Sequence, residues 1–291
     1  MKVASDTQST VTIALLTFNG GELLKRLVDA VRTQETSRTL QFIAVDSGST
    51  DKTRDVLGDA GFSVTTIPSE SFNFGSTRDH LYTLATNDYV VNLSQDAIPA
   101  HDGWLENLIT PLDGNEKMAA SCGRSVPDEQ RHYSQFPWEK NGYFYFTREM
   151  QRFSSTHGKG LSFSNSAVRR SVWEDLRFQP IVLSEDFQFQ IALQKEGWSI
   201  AFPHDAQVLH HHDYNVDALT RRCKDEGAAL RALGCPYSFN DCLSDWLHYR
   251  KNLQWLREIK YRRLHSRAAW LFPVLRPWAV YQGSKSAVRK E

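Results

Sequence analysis

Residues 88–102 read Asp-Tyr-Val-Val-Asn-Leu-Ser-Gln-Asp-Ala-Ile-Pro-Ala-His-Asp. A run of strand formers, Tyr89, Val90, Val91 and Leu93, leaves a polar turn and stops at Asp96. Pro99 has no backbone N–H to donate, so no further ladder pairing is expected on that side. Asp96 then falls at or just past the carboxyl end of a strand. In an open α/β sheet that end is where ligands bind. A carboxylate there is a hard ligand suited to Mg2+ or Mn2+ carrying a diphosphate. The same residue equally suits a cap on the segment that follows.

The sequence before this stretch repeats one rhythm. Val11–Thr17 is a continuous apolar strand of the kind buried on both faces of a parallel sheet. A Phe18-Asn-Gly-Gly21 turn follows, then helical apolar spacing from Glu22 to Thr33. A second strand, Gln41–Val45, ends in Asp46-Ser-Gly-Ser-Thr-Asp51, with Ser49 or Thr50 placed to cap a helix starting near Asp51. Phe62–Ile67 reads as a third strand and Ser76–Thr86 as a third helix. Strands alternating with helices in this way predict a doubly wound, mostly parallel α/β sheet. Asp46 at a strand end suits a base or ribose, and Ser47, Gly48 and Ser49 offer backbone N–H groups, although turns favour the same residues without any ligand.

The totals describe an ordinary globular chain of 291 residues, 41% hydrophobic and 23% charged. Lys+Arg and Asp+Glu balance at 34 each, so no overall field points to nucleic acid. Cys122, Cys223, Cys235 and Cys242 show no C-x-x-C spacing, so a zinc site of the usual spacing is absent, and a disulfide framework is not expected in a chain of this size. Met1–Thr10 lacks the apolar core of a secretion signal, and no apolar run reaches the ~18 residues needed to span a bilayer. A reduced, cytoplasmic protein is the expectation.

After Asp102 the pattern predicts a helix over Trp104–Leu112 and a strand near Met118–Cys122. The aromatic-rich stretch 127–156 is either a substrate-facing lid or a packed insertion. Leu161–Ser171 returns to strand character, and Trp173–Arg177 looks like a helical turn. Ser184 is placed to N-cap a helix whose first turn carries Glu185 and Asp186, a pair the helix dipole favours even without function. Short strands at 198–202 and 207–209 run into His210-His-His-Asp213. Alternation puts His210 and His212 on one face, as a solvated turn or as imidazole ligands for Mn2+.

The order of these features resembles the family 2 glycosyltransferases of the GT-A fold. The resemblance rests on the T-F-N turn after the first strand, D-S-G-S-T-D after the second, Ser-Gln-Asp96 in place of D-x-D, the Glu185-Asp186 pair and His-x-His after it. It covers Val11 to Asp213 and is strongest in Val11–Asp55, Phe72–Leu105 and Leu161–His212. Within the family, Phe72-Asn-Phe-Gly-Ser-Thr-Arg-Asp79 and Ser94-Gln-Asp-Ala-Ile-Pro99 are similar to rhamnosyltransferases that use dTDP-L-rhamnose. The resemblance implies an inverting transferase. Thr17, Asn19, Asp46 and Ser47 would line the nucleotide pocket, with Ser94 and Gln95 near the donor and Arg78 beside the diphosphate. Asp96 would hold Mg2+ or Mn2+, with His210, or else His212, completing the metal shell. Asp186 would be the general base, with Glu185 next to it. Ser94 stands where many relatives carry a first acid, and Asp79 stands where asparagine is more usual.

Residues 1–214 are therefore expected to form the nucleotide-sugar and catalytic domain, and 215–291 a helical, basic extension. Val216–Leu233 reads as one helix ending at Gly234, and Leu243–Leu264 as the next. Basic helices carrying tryptophan suit an anionic membrane interface, and equally a helical cap with its arginines in water. The resemblance implies a glycan or polyprenyl-diphosphate-linked saccharide as acceptor, met at the inner face of the membrane. Two other readings stay open: a non-catalytic sugar-nucleotide or glycan-binding relative, and a membrane-docked assembly subunit.

Overall fold

The computed structural model describes residues 9–126, 128, 148–210 and 214–286. His212 and the aromatic residues Tyr133 to Phe146 lie outside the described residues. In chain order the elements are β1 (Val11–Thr17), α1 (Gly21–Arg32), β2 (Leu40–Asp46), α2 (Thr53–Asp59), β3 (Ser63–Thr66), α3 (Phe74–Thr83), β4 (Tyr89–Ser94), β5 (Ile98–Pro99), α4 (Trp104–Asp113), β6 (Met118–Cys122) and β7 (Arg124–Val126). They continue with α5 (Arg148–His157), β8 (Asn165–Arg169), α6 (Arg170–Leu176), α7 (Glu185–Lys195), β9 (Ser199–Ala201), β10 (Gln207–Leu209), α8 (Val216–Ala232), α9 (Phe239–Trp246), α10 (Tyr249–Lys260) and α11 (Arg267–Lys285).

The chain divides into two compact units, one of Met1–Val126, Leu161–Pro180 and Glu185–His210, the other of Pro127–Gly160, Ile181–Ser184 and His211–Glu291. The first is built on a seven-stranded sheet of order β3-β2-β1-β4-β8-β6-β9. β3, β2, β1 and β4 are parallel, as the alternating pattern predicts. β8 departs from that pattern by running antiparallel between β4 and β6. Side chains alternate across the strands. Val11, Ile13, Leu15, Val91 and Leu93 face a core shared with α1 and α4, while Ala14, Val90, Ile43 and Val45 face one shared with α3, α6 and α7.

Register brings the chemistry to one edge. Thr17 pairs with Asp46 across β1 and β2, and Leu16 pairs with Ser94 across β1 and β4, so these carboxyl ends finish together. Because β8 is antiparallel, its first residue, Asn165, lies at the same edge opposite Leu93. A second, three-stranded sheet has the order β5-β10-β7. Pro99 pairs with Val208 there. β5 is an edge strand, where a missing N–H removes no ladder bond on the outer side. Gly123 permits the close passage between the sheets, since a Cβ there would overlap Ala206 O and Asn165 Nδ2.

The second unit contains α5 and α8–α11 around its own core of Leu219, Leu230, Tyr237, Phe272 and Val280. α8 and α11 meet backbone to backbone: a Cβ on Gly227 would overlap Val280 O, and one on Gly283 would overlap Lys224 O. Arg276 secures the contact with two hydrogen bonds to Glu226, at 2.8 and 2.6 Å. The expected helix 243–264 is two helices, because the chain turns at Leu247 and His248 and the His248 ring accepts from Lys251 N. All four cysteines are free thiols. Among the described residues no helix is long and apolar enough to cross a membrane.

Candidate active site

The loops at the carboxyl ends of β1, β2 and β4 are tied to one another. Asp46 is fully buried and its carboxylate is committed inward: Oδ2 accepts from Thr17 Oγ1 (3.0 Å) and Ser49 Oγ (2.5 Å), and Oδ1 from Ser49 N (2.9 Å). Ser49 and Thr50 do not cap α2. Ser49 Oγ accepts from Asn19 N, and Thr50 N donates to Asn19 Oδ1 at 2.9 Å. The N–H that opens α2, Thr53 N, is met by Asp51 Oδ1 instead. Asn19 itself adopts φ 47°, a left-handed conformation that asparagine tolerates better than most residues. Ser47 donates through both N and Oγ to Thr17 O. Gln95 takes Phe18 N on Oε1 (2.9 Å) and donates Nε2 to Phe18 O (3.0 Å), so its amide joins the β1 loop to the β4 loop as a strand neighbour would. Ser94 O accepts Ala97 N, closing the tight turn that presents Asp96.

Asp96 is the first described carboxylate past β4, and its partner comes from far along the chain. The β5–β10 pairing sets Leu209 opposite Ile98 and carries His210 to Asp96, with Nε2 3.3 Å from Oδ1. The His210 side chain is buried, while that of Asp96 keeps about a quarter of its surface. A carboxylate oxygen and an imidazole nitrogen converging on one point make a donor set that suits Mn2+ or Mg2+. Among the described residues no group of three or more His, Cys, Asp or Glu side chains gathers as a metal cage. Two protein ligands still fit a cation whose remaining positions are filled by substrate phosphate and water, the usual arrangement for Mg2+ in nucleotide enzymes.

The buried Arg78 and Glu185 and the half-buried Asp186 form a charged centre. Arg78 sits on the inner side of α3, where α3 has little amphipathic bias and turns a cation inward. Its Nε and Nη2 both lie 3.0 Å from Glu185 Oε1, and Nη1 donates to Asn92 Oδ1 at 3.1 Å. Its guanidinium also stacks 4.8 Å from the centre of the Phe163 ring. Arg78 and Glu185 are 5% and 6% exposed, so neither charge is left to solvent alone. Asp186 accepts from Phe187 N (2.8 Å) and Phe163 N (3.4 Å). Burial, reinforced by the Glu185 charge next to it, pushes its pKa from 3.8 up to about 7. Ser184, expected as the N-cap of α7, is the residue just ahead of that helix and adopts φ 68°.

Asn92 was not among the residues singled out from the sequence. It is a lone amide in an apolar strand, fully buried, donating Nδ2 to Tyr82 Oη (2.7 Å) and accepting Arg78 Nη1 on Oδ1. The polar interruption in Tyr-Val-Val-Asn-Leu was the available signal. Asp79 also gains a physical reason. It receives Trp173 Nε1 (2.9 Å), Arg177 Nε (3.0 Å), Arg177 Nη2 (2.5 Å) and Phe178 N (3.1 Å). Burial alone would raise its pKa, but these donors outweigh burial and hold it below the usual value. They also fix Arg177 at φ 49°, a conformation that a non-glycine residue adopts only when its surroundings enforce it.

The first unit gathers polar and acidic groups at the carboxyl ends of its strands, the edge at which open α/β sheets bind ligands. Glycosyl transferase family 2 matches residues 12–177, and the chain belongs to that family: it is a glycosyltransferase. The O-antigen chain rhamnosyltransferase RfbN of Salmonella typhimurium is 29% identical over 228 residues, which is 75% of this chain and 71% of that protein. The O-antigen chain rhamnosyltransferase WbaN of Salmonella anatum is 29% identical over 226 residues, 74% of this chain and 70% of its own. Among solved structures, the mannosyltransferase PcManGT from Pyrobaculum calidifontis, in complex with GDP-Man and Mn2+, shares the fold at TM-score 0.58 and 16% identity. That match covers 97% of this chain and 76% of the other. Glucosyl-3-phosphoglycerate synthase from Mycobacterium tuberculosis, with Mn2+ and UDP-glucose, superposes at TM-score 0.58 and 18% identity, over 78% of this chain and 80% of its own.

Proposed function

We propose that this glycosyltransferase moves L-rhamnose from dTDP-L-rhamnose, with inversion, onto a glycan or a polyprenyl-diphosphate-linked saccharide in cell-surface polysaccharide synthesis. The observation that carries the chemistry is Asp186, a carboxylate with its pKa near 7 next to the buried Arg78–Glu185 pair. A base poised near the working pH is the one best matched to accepting a hydroxyl proton as a bond forms. In this reading the acceptor oxygen bonds to the anomeric carbon while the bond from that carbon to the diphosphate oxygen breaks. Asp186 takes the acceptor proton. Glu185, held in place by Arg78, adds its negative charge to the burial that raises the proton affinity of Asp186.

Thr17, Asn19, Asp46 and Ser47 shape the nucleotide side, acting mainly through the loop conformation they enforce. Ser94 and Gln95 hold the turn that presents Asp96. Asp96 and His210 would hold Mn2+ or Mg2+, with His212 as the other candidate. When bound, the cation would neutralise charge on the departing nucleoside diphosphate. Support for a divalent ion comes from solved structures of the same fold in complex with both Mn2+ and a nucleotide sugar. Support for rhamnose comes from the names of the two Salmonella relatives. Residues 1–214 would carry donor binding and catalysis, and 215–291 the contact with a lipid-linked acceptor at the inner membrane face.

Calorimetric titration with dTDP-, UDP- and GDP-sugars, with and without Mn2+, tests this reading. Binding of dTDP-L-rhamnose should be the tightest, should depend on Mn2+, and should weaken about tenfold or more in Asp96→Ala, a scale that even outer-shell metal partners reach. Preference for another nucleotide would overturn the donor assignment, and metal-independent binding would overturn the role of Asp96.

A further inference from the structure

We infer that the outer surface of α9, α10 and α11 is a docking face for an anionic phospholipid bilayer. The segment 239–286 contains three acidic residues, Asp241, Asp245 and Glu258, and the fold buries all three. Each has an internal task. Asp241 completes the capping box of α9 with Ser238 and pairs with Arg152 at 2.9 Å. Asp245 accepts Tyr237 Oη at 2.5 Å, and Glu258 accepts Gln254 Nε2. The two buried cations of the segment are likewise spent inside. Arg276 is held by Glu226, and Lys251 Nζ donates to Pro273 O, a carbonyl that loses its helical partner because Pro277 has no N–H. The charges left outside are all basic: between residues 250 and 267 these are Arg250, Arg257, Lys260, Arg262, Arg263 and Arg267.

The apolar side chains left outside share the same surface. Among the described residues, every exposed large hydrophobic except Phe18 and Val182 lies between Phe239 and Trp278. On α10, Tyr249, Leu253 and Leu256 follow helical spacing along one stripe, and Leu253 and Leu256 are 60% and 59% exposed. On α11, Trp270, Leu271, Val274 and Trp278 form another. The stripes are continuous, because Leu256 and Val274 line one open groove of about 420 Å3 with Trp246, Trp255 and Pro273. A water-facing surface has no use for so much clustered apolar area. Exposed leucines and tryptophans flanked only by cations match the interface of an anionic membrane.

The inference gives a place to the lipid-linked acceptor of the proposed function and rests on that reading only there, since lipid binding is measured without donor or acceptor. The full chain is sedimented with vesicles of phosphatidylcholine containing about 40% phosphatidylglycerol, and with pure phosphatidylcholine. It should partition onto the anionic vesicles, and raising the salt should release it. Arg257→Gln, Arg262→Gln and Arg263→Gln together should lower partitioning about tenfold or more, as should Leu253→Ser with Leu256→Ser. All five side chains point to solvent, so folding should be unaffected, and circular dichroism would verify this. Absence of binding to anionic vesicles, or binding that neither variant alters, would overturn the inference. So would a dimer in solution that the leucine variant turns into a monomer with no vesicle binding, because a second copy would then be what covers the face. Loss of transfer with intact vesicle binding would instead count against the proposed chemistry.

Discussion

Asp186→Asn removes the group proposed to take the acceptor proton while keeping its size and one accepting oxygen, enough for the 2.8 Å bond from Phe187 N but not for the 3.4 Å bond from Phe163 N as well. Two effects follow from one cause. The native carboxyl holds its proton to about pH 7, whereas the unfolded chain releases it near 3.8. Between those values the folded state binds the extra proton, so through this group the wild type loses about 1.4 kcal/mol of stability per pH unit as pH rises. The contribution is fully present below 3.8 and gone above about 7. Asparagine has no such slope. Urea unfolding should therefore show the variant gaining about 2–3 kcal/mol on the wild type between pH 5 and pH 8. Transfer activity should fall by about 10^2-fold or more, the range for loss of general-base help. The wild-type kcat/KM should rise along a limb centred near pH 7 that the variant lacks. A stability difference flat across that pH range, or activity within about tenfold of wild type, would refute the argument.

Two other perturbations separate support from chemistry. Arg78→Gln leaves Glu185 buried without its cation and should cost about 3–5 kcal/mol in urea unfolding, with part of the loss recovered in the Arg78→Gln, Glu185→Gln double variant; strictly additive losses would show that the two do not act as a pair. Asp79→Ala strips the acceptor from Arg177, Trp173 and Phe178 N and should destabilise by about 2–3 kcal/mol, read as a lower Tm, with kcat nearly unchanged. A large fall in kcat at unaltered Tm would mean that Asp79 touches the reaction.

The local half of the structure was legible in the sequence. β1, β2 and β4 are largely apolar runs closed by polar turns, and that pattern gives buried parallel strands with Asp46 at the end of one and Asp96 just past the end of another. The helix carrying Glu185 and Asp186 was equally readable from its spacing. Pattern has no means of stating direction across a long connection, so the antiparallel course of β8 was not visible. Nor does spacing see a turn between two helices whose apolar residues keep the same period, which is why α9 and α10 read as one.

What the sequence determined, then, was which residues are acidic, basic or strand-forming, and roughly where each element ends. What only the tertiary structure decided was who meets whom. His210 reaches Asp96 because β10 pairs with β5, and Arg78 is spent on Glu185 and Asn92 because α3, β4 and α7 pack their inner faces together. Asp46 is claimed by Thr17 and Ser49 rather than left open to solvent. In the tail, where the sequence shows a basic excess, the fold buries the three acids of 239–286 and leaves its exposed charge of one sign. Composition is fixed by the chain, whereas burial and pairing are long-range, and they decide which charges remain to act.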